Sequence, residues 1–107
     1  MPAVARKDGV DSAFTVHNAI GQECRDAPTT TATDQGSSNV FVENVGAVRV
    51  GDAVEVHNQP GCTPHAPPLA EGSPTVFVNN QACGRLGDTY GCGAIITSGA
   101  GTVFADG

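Results

Sequence analysis

The side chains best equipped for chemistry are three histidines, His17, His57 and His65, and four cysteines, Cys24, Cys62, Cys83 and Cys92. Imidazole nitrogen and thiolate sulfur together suit a tetrahedral, borderline-soft cation. Four cysteines would also allow three disulfide pairings in an oxidising compartment. The opening MPAVARKDGVDSAF has no apolar leader, so the chain is expected to be made in the cytoplasm without a signal peptide. There, metal ligation is the better reading of at least some of the cysteines. A lone histidine is more often a surface or core residue than a ligand, so position has to decide.

Position is set by a phrase that occurs twice. Residues 36–57, GSSNVFVENVGAVRVGDAVEVH, and residues 72–93, GSPTVFVNNQACGRLGDTYGCG, align at an offset of 36. Val40-Phe41-Val42 falls on Val76-Phe77-Val78, Arg49 on Arg85, and Gly51-Asp52 on Gly87-Asp88. Residues 1–17 hold a degraded second half, with Ala5-Arg6 matching the later arginines and Asp8-Gly9 at the expected turn. Residues 99–107 restate a first half, with Val103-Phe104. Joining the ends gives a third copy. This predicts a pseudo-threefold ring closed by pairing of the C-terminal strand with the N-terminal one, which also removes exposed sheet edges.

The organisation read from this is one domain over 1–107: a half-repeat (1–17), a loop insertion (18–35), a repeat (36–57), a Pro-rich loop (58–71), a repeat (72–98) and a closing half-repeat (99–107). Short strands are expected near Asn39–Glu43, Ala47–Val50, Thr75–Asn79, Gly84–Leu86, Thr89–Cys92 and 94–98, with Val-Phe-Val as core. In AVEVH (53–57) the alternation puts His57 on the face opposite Val54 and Val56, at the strand's end. No stretch carries a helical apolar stripe, so almost no helix is expected. Gly 14 and Pro 7, one tyrosine, four phenylalanines and no tryptophan imply a thin core that needs help from a metal, a partner or crosslinks. A net charge of −6 without a basic cluster argues against nucleic acid or an anionic membrane surface. No apolar run is long enough for a transmembrane helix. Arg49 and Arg85 read as structural bridges between repeats rather than anion sites. Asp52 and Asp88, each beside a glycine, read as turn-fixing residues rather than a catalytic pair.

GSPTVFVNN at 72–80 with Arg85, Gly87-Asp88 and Cys92-Gly93, its copy at 36–52, and the opening MPAVAR resemble the PAAR-repeat family, named for Pro-Ala-Ala-Arg. The resemblance covers the chain apart from 18–35. The naming tetrapeptide itself is Gly46-Ala47-Val48-Arg49 in one copy and Ala82-Cys83-Gly84-Arg85 in the other. The resemblance implies an all-β, pseudo-threefold cone of short strands with a metal near its apex, usually zinc held by three histidines and one cysteine. It also implies a structural, non-enzymatic part that caps a trimeric β-helical, membrane-piercing spike of a contractile injection machine.

On this view the expected ligands are His17, His57, His65 and Cys92. Each repeat end delivers one toward a common point, and His65 completes the set from the Pro-rich loop. Zn²⁺ is the expected ion and Fe²⁺ the second choice. Cys62 is the rival of His65; for Cys24 and Cys83 a Cys24–Cys62 disulfide and plain buried thiols both stay open. Four protein ligands would leave no open position, which marks a structural site. The expected partner is one spike trimer per tip, with the tip monomeric by itself and in transient contact with a target cell envelope. The expected location is the tail spike of a phage baseplate, with the tip of a type VI secretion spike as the alternative. Two other readings compete: a zinc-dependent hydrolase, needing an open metal position and Glu55 or Glu71 as base, and a stand-alone metal-dependent binding module.

Overall fold

A computed structural model describes residues 2–15, 29–58 and 64–105. Among the described residues there are nine short strands and no helix. The strands are β1 (Ser12–Thr15), β2 (Thr29–Ala32), β3 (Phe41–Val42), β4 (Val45–Gly46), β5 (His57–Asn58), β6 (Pro64–His65), β7 (Phe77–Val78), β8 (Gln81–Ala82) and β9 (Ile95–Ile96). They are shorter than the apolar runs suggest, and isolated bridges join them into rings. Among the described residues no helix is long and apolar enough to cross a membrane.

The wide end repeats one hydrogen-bonding scheme three times. The hairpins β3–β4 and β7–β8 turn through Glu43-Asn44 and Asn79-Asn80, all four at positive φ (51, 69, 51 and 65°). Two-residue turns of this hand match the twist of the strands, and asparagine tolerates them well. Ala47 N–H then donates to Val40 O (3.0 Å) and Cys83 N–H to Val76 O (2.9 Å). In the third copy the partners come from opposite ends of the chain: Val4 N–H donates to Val103 O (3.0 Å) and Ala3 bridges Phe104. The predicted closure of the C-terminal segment on the N-terminal one is what the fold does.

On the axis the three copies meet in a closed triangle. Ala5 N–H donates to Gly84 O (3.0 Å), Gly84 N–H to Val48 O (2.7 Å) and Val48 N–H to Ala5 O (3.0 Å). All three residues are buried. A Cβ on Gly84 would lie 2.8 Å from Leu69 Cδ2 and 3.0 Å from Val48 Cγ1, so the larger Val48 beside it requires glycine here.

Each copy also carries the same arginine–aspartate clasp. Arg49 donates from its backbone N–H (2.8 Å) and Nε (3.0 Å) to Asp52 Oδ2 and from Nη2 to Oδ1 (3.0 Å). Arg85 makes the same three bonds to Asp88, and Arg6 makes them to Asp11. The first-copy counterpart of Asp52 is therefore Asp11, not Asp8: two extra residues, with Asp8 and Gly9 at positive φ, widen that turn. Arg49 also bridges repeats as expected, Nη1 to Asn79 (3.1 Å), and Arg6 does the same, Nη1 to Glu43 (2.8 Å), whereas Arg85 Nη2 reaches the Gly72 carbonyl of its own repeat (3.2 Å).

Toward the narrow end a second ring closes. β1 pairs antiparallel with β2 and with β9, and the bridges Thr33–Val54, Ala53–Pro68, Leu69–Tyr90 and Thr89–Ile95 complete the circle. Each repeat thus contributes an outgoing and a returning segment around buried Ala13, Val54, Leu69, Tyr90 and Ile96. This corrects two expectations. Thr29–Ala32, read as part of a loop insertion, is the first repeat's returning strand, for which β-branched threonines are well suited. Residues 64–69, read as Pro-rich loop, are the second repeat's: Pro67 and Pro68 lack N–H donors but accept from Val54 (3.2 Å) and Gly91 (2.9 Å).

The Val-Phe-Val triplets are not wholly core. Val42 and Val78 are buried, but Phe41, Phe77 and Phe104 are 60%, 61% and 48% exposed. Alternation along so short a strand turns the central side chain outward when its neighbour faces in. Three equivalent aromatic side chains therefore stand on the surface of the wide end.

Candidate metal centre

His57, His65 and Cys92 converge at the narrow end, with one donor atom from each within 4.8 Å of the others. β5 and β6 pair antiparallel with His57 directly opposite His65, so the two rings meet although eight residues separate them. Cys92 arrives from the third repeat, just beyond the bridge at Tyr90. The strict alternation expected for 53–57 breaks at Glu55-Val56, which lie outside any strand. As a result Val56 is half exposed while His57 turns inward and is buried. The sequence pattern therefore had the faces of these two residues reversed.

The histidine's orientation is fixed from behind. His57 Nδ1 lies 2.9 Å from the Glu55 carbonyl oxygen, to which it donates as N–H, so Nε2 is the ring atom that carries the lone pair a metal would take. Nε2 faces His65 Nε2 at 3.1 Å and Cys92 Sγ at 3.6 Å. Tetrahedral zinc, with bonds of about 2.0–2.1 Å to nitrogen and about 2.3 Å to sulfur, would space such donors by roughly 3.3 and 3.6 Å. The two rings stand edge to face, with centroids 4.6 Å apart. Donor types, spacing and the held tautomer all fit a metal ion.

Of the expected ligands, three are brought together here; His17 lies outside the described residues. So do Cys24 and Cys62, and with them the rivalry between Cys62 and His65 and the Cys24–Cys62 pairing. Cys83 is a free buried thiol in the wide end's core, and burial pushes it up to about 11. It lies among the apolar residues of that layer and not with the histidines. The Glu55 carbonyl's role is invisible in the sequence, since a backbone acceptor carries no residue signature.

Glu55 and Glu71, the bases a hydrolase would need, are both exposed. The Glu71 carboxylate accepts the Thr89 hydroxyl.

Comparison with known proteins agrees with this geometry. The PAAR motif family matches residues 25–98. The chain is 37% identical over 86 residues to the NAD(P)(+) glycohydrolase toxin Tse6 of Pseudomonas aeruginosa, covering 75% of this chain and 20% of that protein. It is equally similar, at 37% over 86 residues, to the (p)ppApp synthetase toxin Tas1 of P. aeruginosa strain UCBPP-PA14, covering 75% of this chain and 19% of the toxin. The chain therefore spans about a fifth of the length of these relatives. A threefold all-β ring, a His-His-Cys cluster at its narrow end and a match across most of the sequence establish one conclusion: this chain belongs to the PAAR motif family.

Proposed function

We propose that this chain is a structural spike tip: it caps a trimeric, β-helical, membrane-piercing spike of a contractile injection machine and ends it in a metal-pinned point. The observation that carries this reading is the closed threefold ring built by a single chain. One chain with three similar faces can seat on three identical subunits at once, and the wide end offers Phe41, Phe77 and Phe104 at equivalent positions for that contact. The partner is thus a homotrimer, one tip per trimer, with no nucleic acid involved.

In this reading His17 joins His57, His65 and Cys92 to complete a four-ligand structural centre, with Zn²⁺ the favoured ion and Fe²⁺ second. A structural metal of this kind supplies binding energy where a narrowing cone has no room for an apolar core. The role is non-enzymatic: a saturated centre has no position for substrate, and Glu55 and Glu71 are surface residues.

Two machines fit the tip. A phage tail spike is the first; a type VI secretion spike gains support because the matched relatives are toxins, of which a region like this one is about a fifth. The test of the common role is co-purification with a recombinant trimeric spike fragment. A 1:3 complex, one tip to three spike chains, is expected; a tip that stays monomeric beside every spike trimer from its own genome would overturn the proposal. Loss of the chain from culture supernatant when the contractile sheath is deleted would favour secretion, and its presence in purified virions would favour the phage tail.

A further inference from the structure

The two ends of the ring are held by different means. At the wide end every pairing returns on itself: the axial triangle Ala5–Gly84–Val48, the three strand closures and the three Arg–Asp clasps. Beneath them Val4, Val42, Ala47, Val78, Cys83 and Ala100 form a continuous buried cluster. None of these ties passes through His57, His65 or Cys92.

Past the level of Leu69 and Tyr90 the picture changes. In the second and third repeats the strand pairing shrinks to the two-residue ladder β5–β6, while the first repeat's β1–β2 ladder runs on through Phe14–Thr30 and Thr15–Thr29. Glu55, Val56, Gly91 and Gly93 are exposed, and within 55–57, 64–66 and 91–93 His57 is the one buried side chain. Its inward contacts include His65 and Cys92. Without a cation the two facing Nε2 atoms can share at most one hydrogen bond between them, and of the three side chains Cys92 alone is seen to pack against the apolar cluster around Tyr90 and Ile96.

We propose that the metal orders the narrow end alone, and that the metal-free chain already assembles the wide end with its three exposed phenylalanines. The point is then a separately cooperative unit, set after or independently of the ring that meets a partner. This rests on the reading of His57, His65 and Cys92 as metal ligands.

The test is amide hydrogen exchange by mass spectrometry on the full chain, zinc-loaded and chelator-stripped, with native mass spectrometry reporting metal content. Stripping is expected to speed exchange by about tenfold or more in peptides covering 55–58, 65–66 and 91–93, while peptides covering 4–6, 46–50 and 82–88 keep their protection. Cys92→Ser, which spares both histidines and the wide end, should show the same pattern. Faster exchange in both sets of peptides would overturn the proposal and make the metal a global folding partner. Unchanged exchange everywhere, with the metal shown to have left, would overturn it as well. A chain that takes up no metal at all would overturn the metal-centre reading and this proposal together, so the two failures are distinguishable.

Discussion

His57 and His65 sit opposite each other in an antiparallel pair, their Nε2 atoms 3.1 Å apart, with Cys92 Sγ 3.6 Å from the first of them. Two ring nitrogens held this close in one tautomeric arrangement are poised for a shared cation. Elemental analysis of purified protein is expected to give one zinc per chain. Replacing His65 or Cys92 by alanine or serine removes a ligand outright and should abolish stoichiometric metal. His17→Ala should do the same if four ligands close the site; full retention of metal in that variant would instead leave an open position and revive the hydrolase reading.

Gly84 is the residue on which the axial triangle depends. Its departure from the family's alanine is forced by Val48 and Leu69, which approach to within 3.0 and 2.8 Å of where a Cβ would stand. Gly84→Ala is expected to cost about 1–3 kcal/mol, the usual penalty for overpacking a rigid core. Urea unfolding measures it. Pairing Gly84→Ala with Val48→Ala should recover part of the loss, since the two share one space.

Asp11 is buried inside the Arg6 clasp. Burial would raise its carboxyl, but hydrogen bonds from the Arg6 side chain, Ser98 and the Arg6 backbone outweigh that and hold it below the ordinary aspartate range. A depressed native value means that Asp11 contributes fully above about pH 4, the unfolded value, and that the contribution is lost as pH falls through the lower native one. Stability should therefore decline as the solution is acidified below that point. Asp11→Asn should cost about 1–3 kcal/mol at neutral pH and flatten the acid limb of the stability–pH curve. An unchanged acid limb would count against the clasp as its source.

Much of the ring is legible in the sequence because symmetry writes it there. Matching Arg49 to Arg85 and Gly51-Asp52 to Gly87-Asp88 reveals a repeat, and the leftover halves at each end reveal its closure. What stays hidden belongs to the first repeat and to strand faces. Thr29–Ala32 has no counterpart in composition, since the returning segments of the other repeats are rich in proline or isoleucine and are recognised by hydrogen-bond position alone. Asp11 escapes because two residues are inserted before it. The outward turn of Phe41 and the inward turn of His57 escape because two-residue strands are too short for a period to be read. His57 and Cys92 stand out as candidate ligands by their places at repeat ends and His65 by its place in the loop that follows, and the fold brings these three together, whereas the Glu55 carbonyl behind His57 is not legible.

Tyr90 is fully buried, and its hydroxyl has no hydrogen-bond partner among the described residues. Burial, with the negative charges of Asp52 and Asp34, pushes the phenol well above its ordinary value. A buried hydroxyl without a partner is a standing cost, so Tyr90→Phe is expected to stabilise the protein by about 1 kcal/mol. As Tyr90 is the one tyrosine and there is no tryptophan, the phenolate absorbance band is a clean probe. It should appear only as the chain unfolds in alkali.

Phe41, Phe77 and Phe104 contribute little to the isolated ring because they lie in water. Each Phe→Ser change should leave stability within about 0.5 kcal/mol of the parent. If these side chains anchor the tip on a trimer, each should also weaken that complex by about 1–2 kcal/mol, and the triple variant should abolish it. Calorimetric titration against the trimeric fragment, alongside thermal unfolding of the free variants, separates the two effects.

The axial triangle of Ala5, Val48 and Gly84 has a mechanical meaning. In an open sheet, pulling or pressing along the stack can peel hydrogen bonds one after another from a free margin, and each break eases the next. A triangle has no margin. Load driven down the axis reaches all three bonds together and is divided among three repeats, so failure has to be simultaneous rather than progressive. A ring that seals itself with its own two chain ends resists an impact as a wedge does.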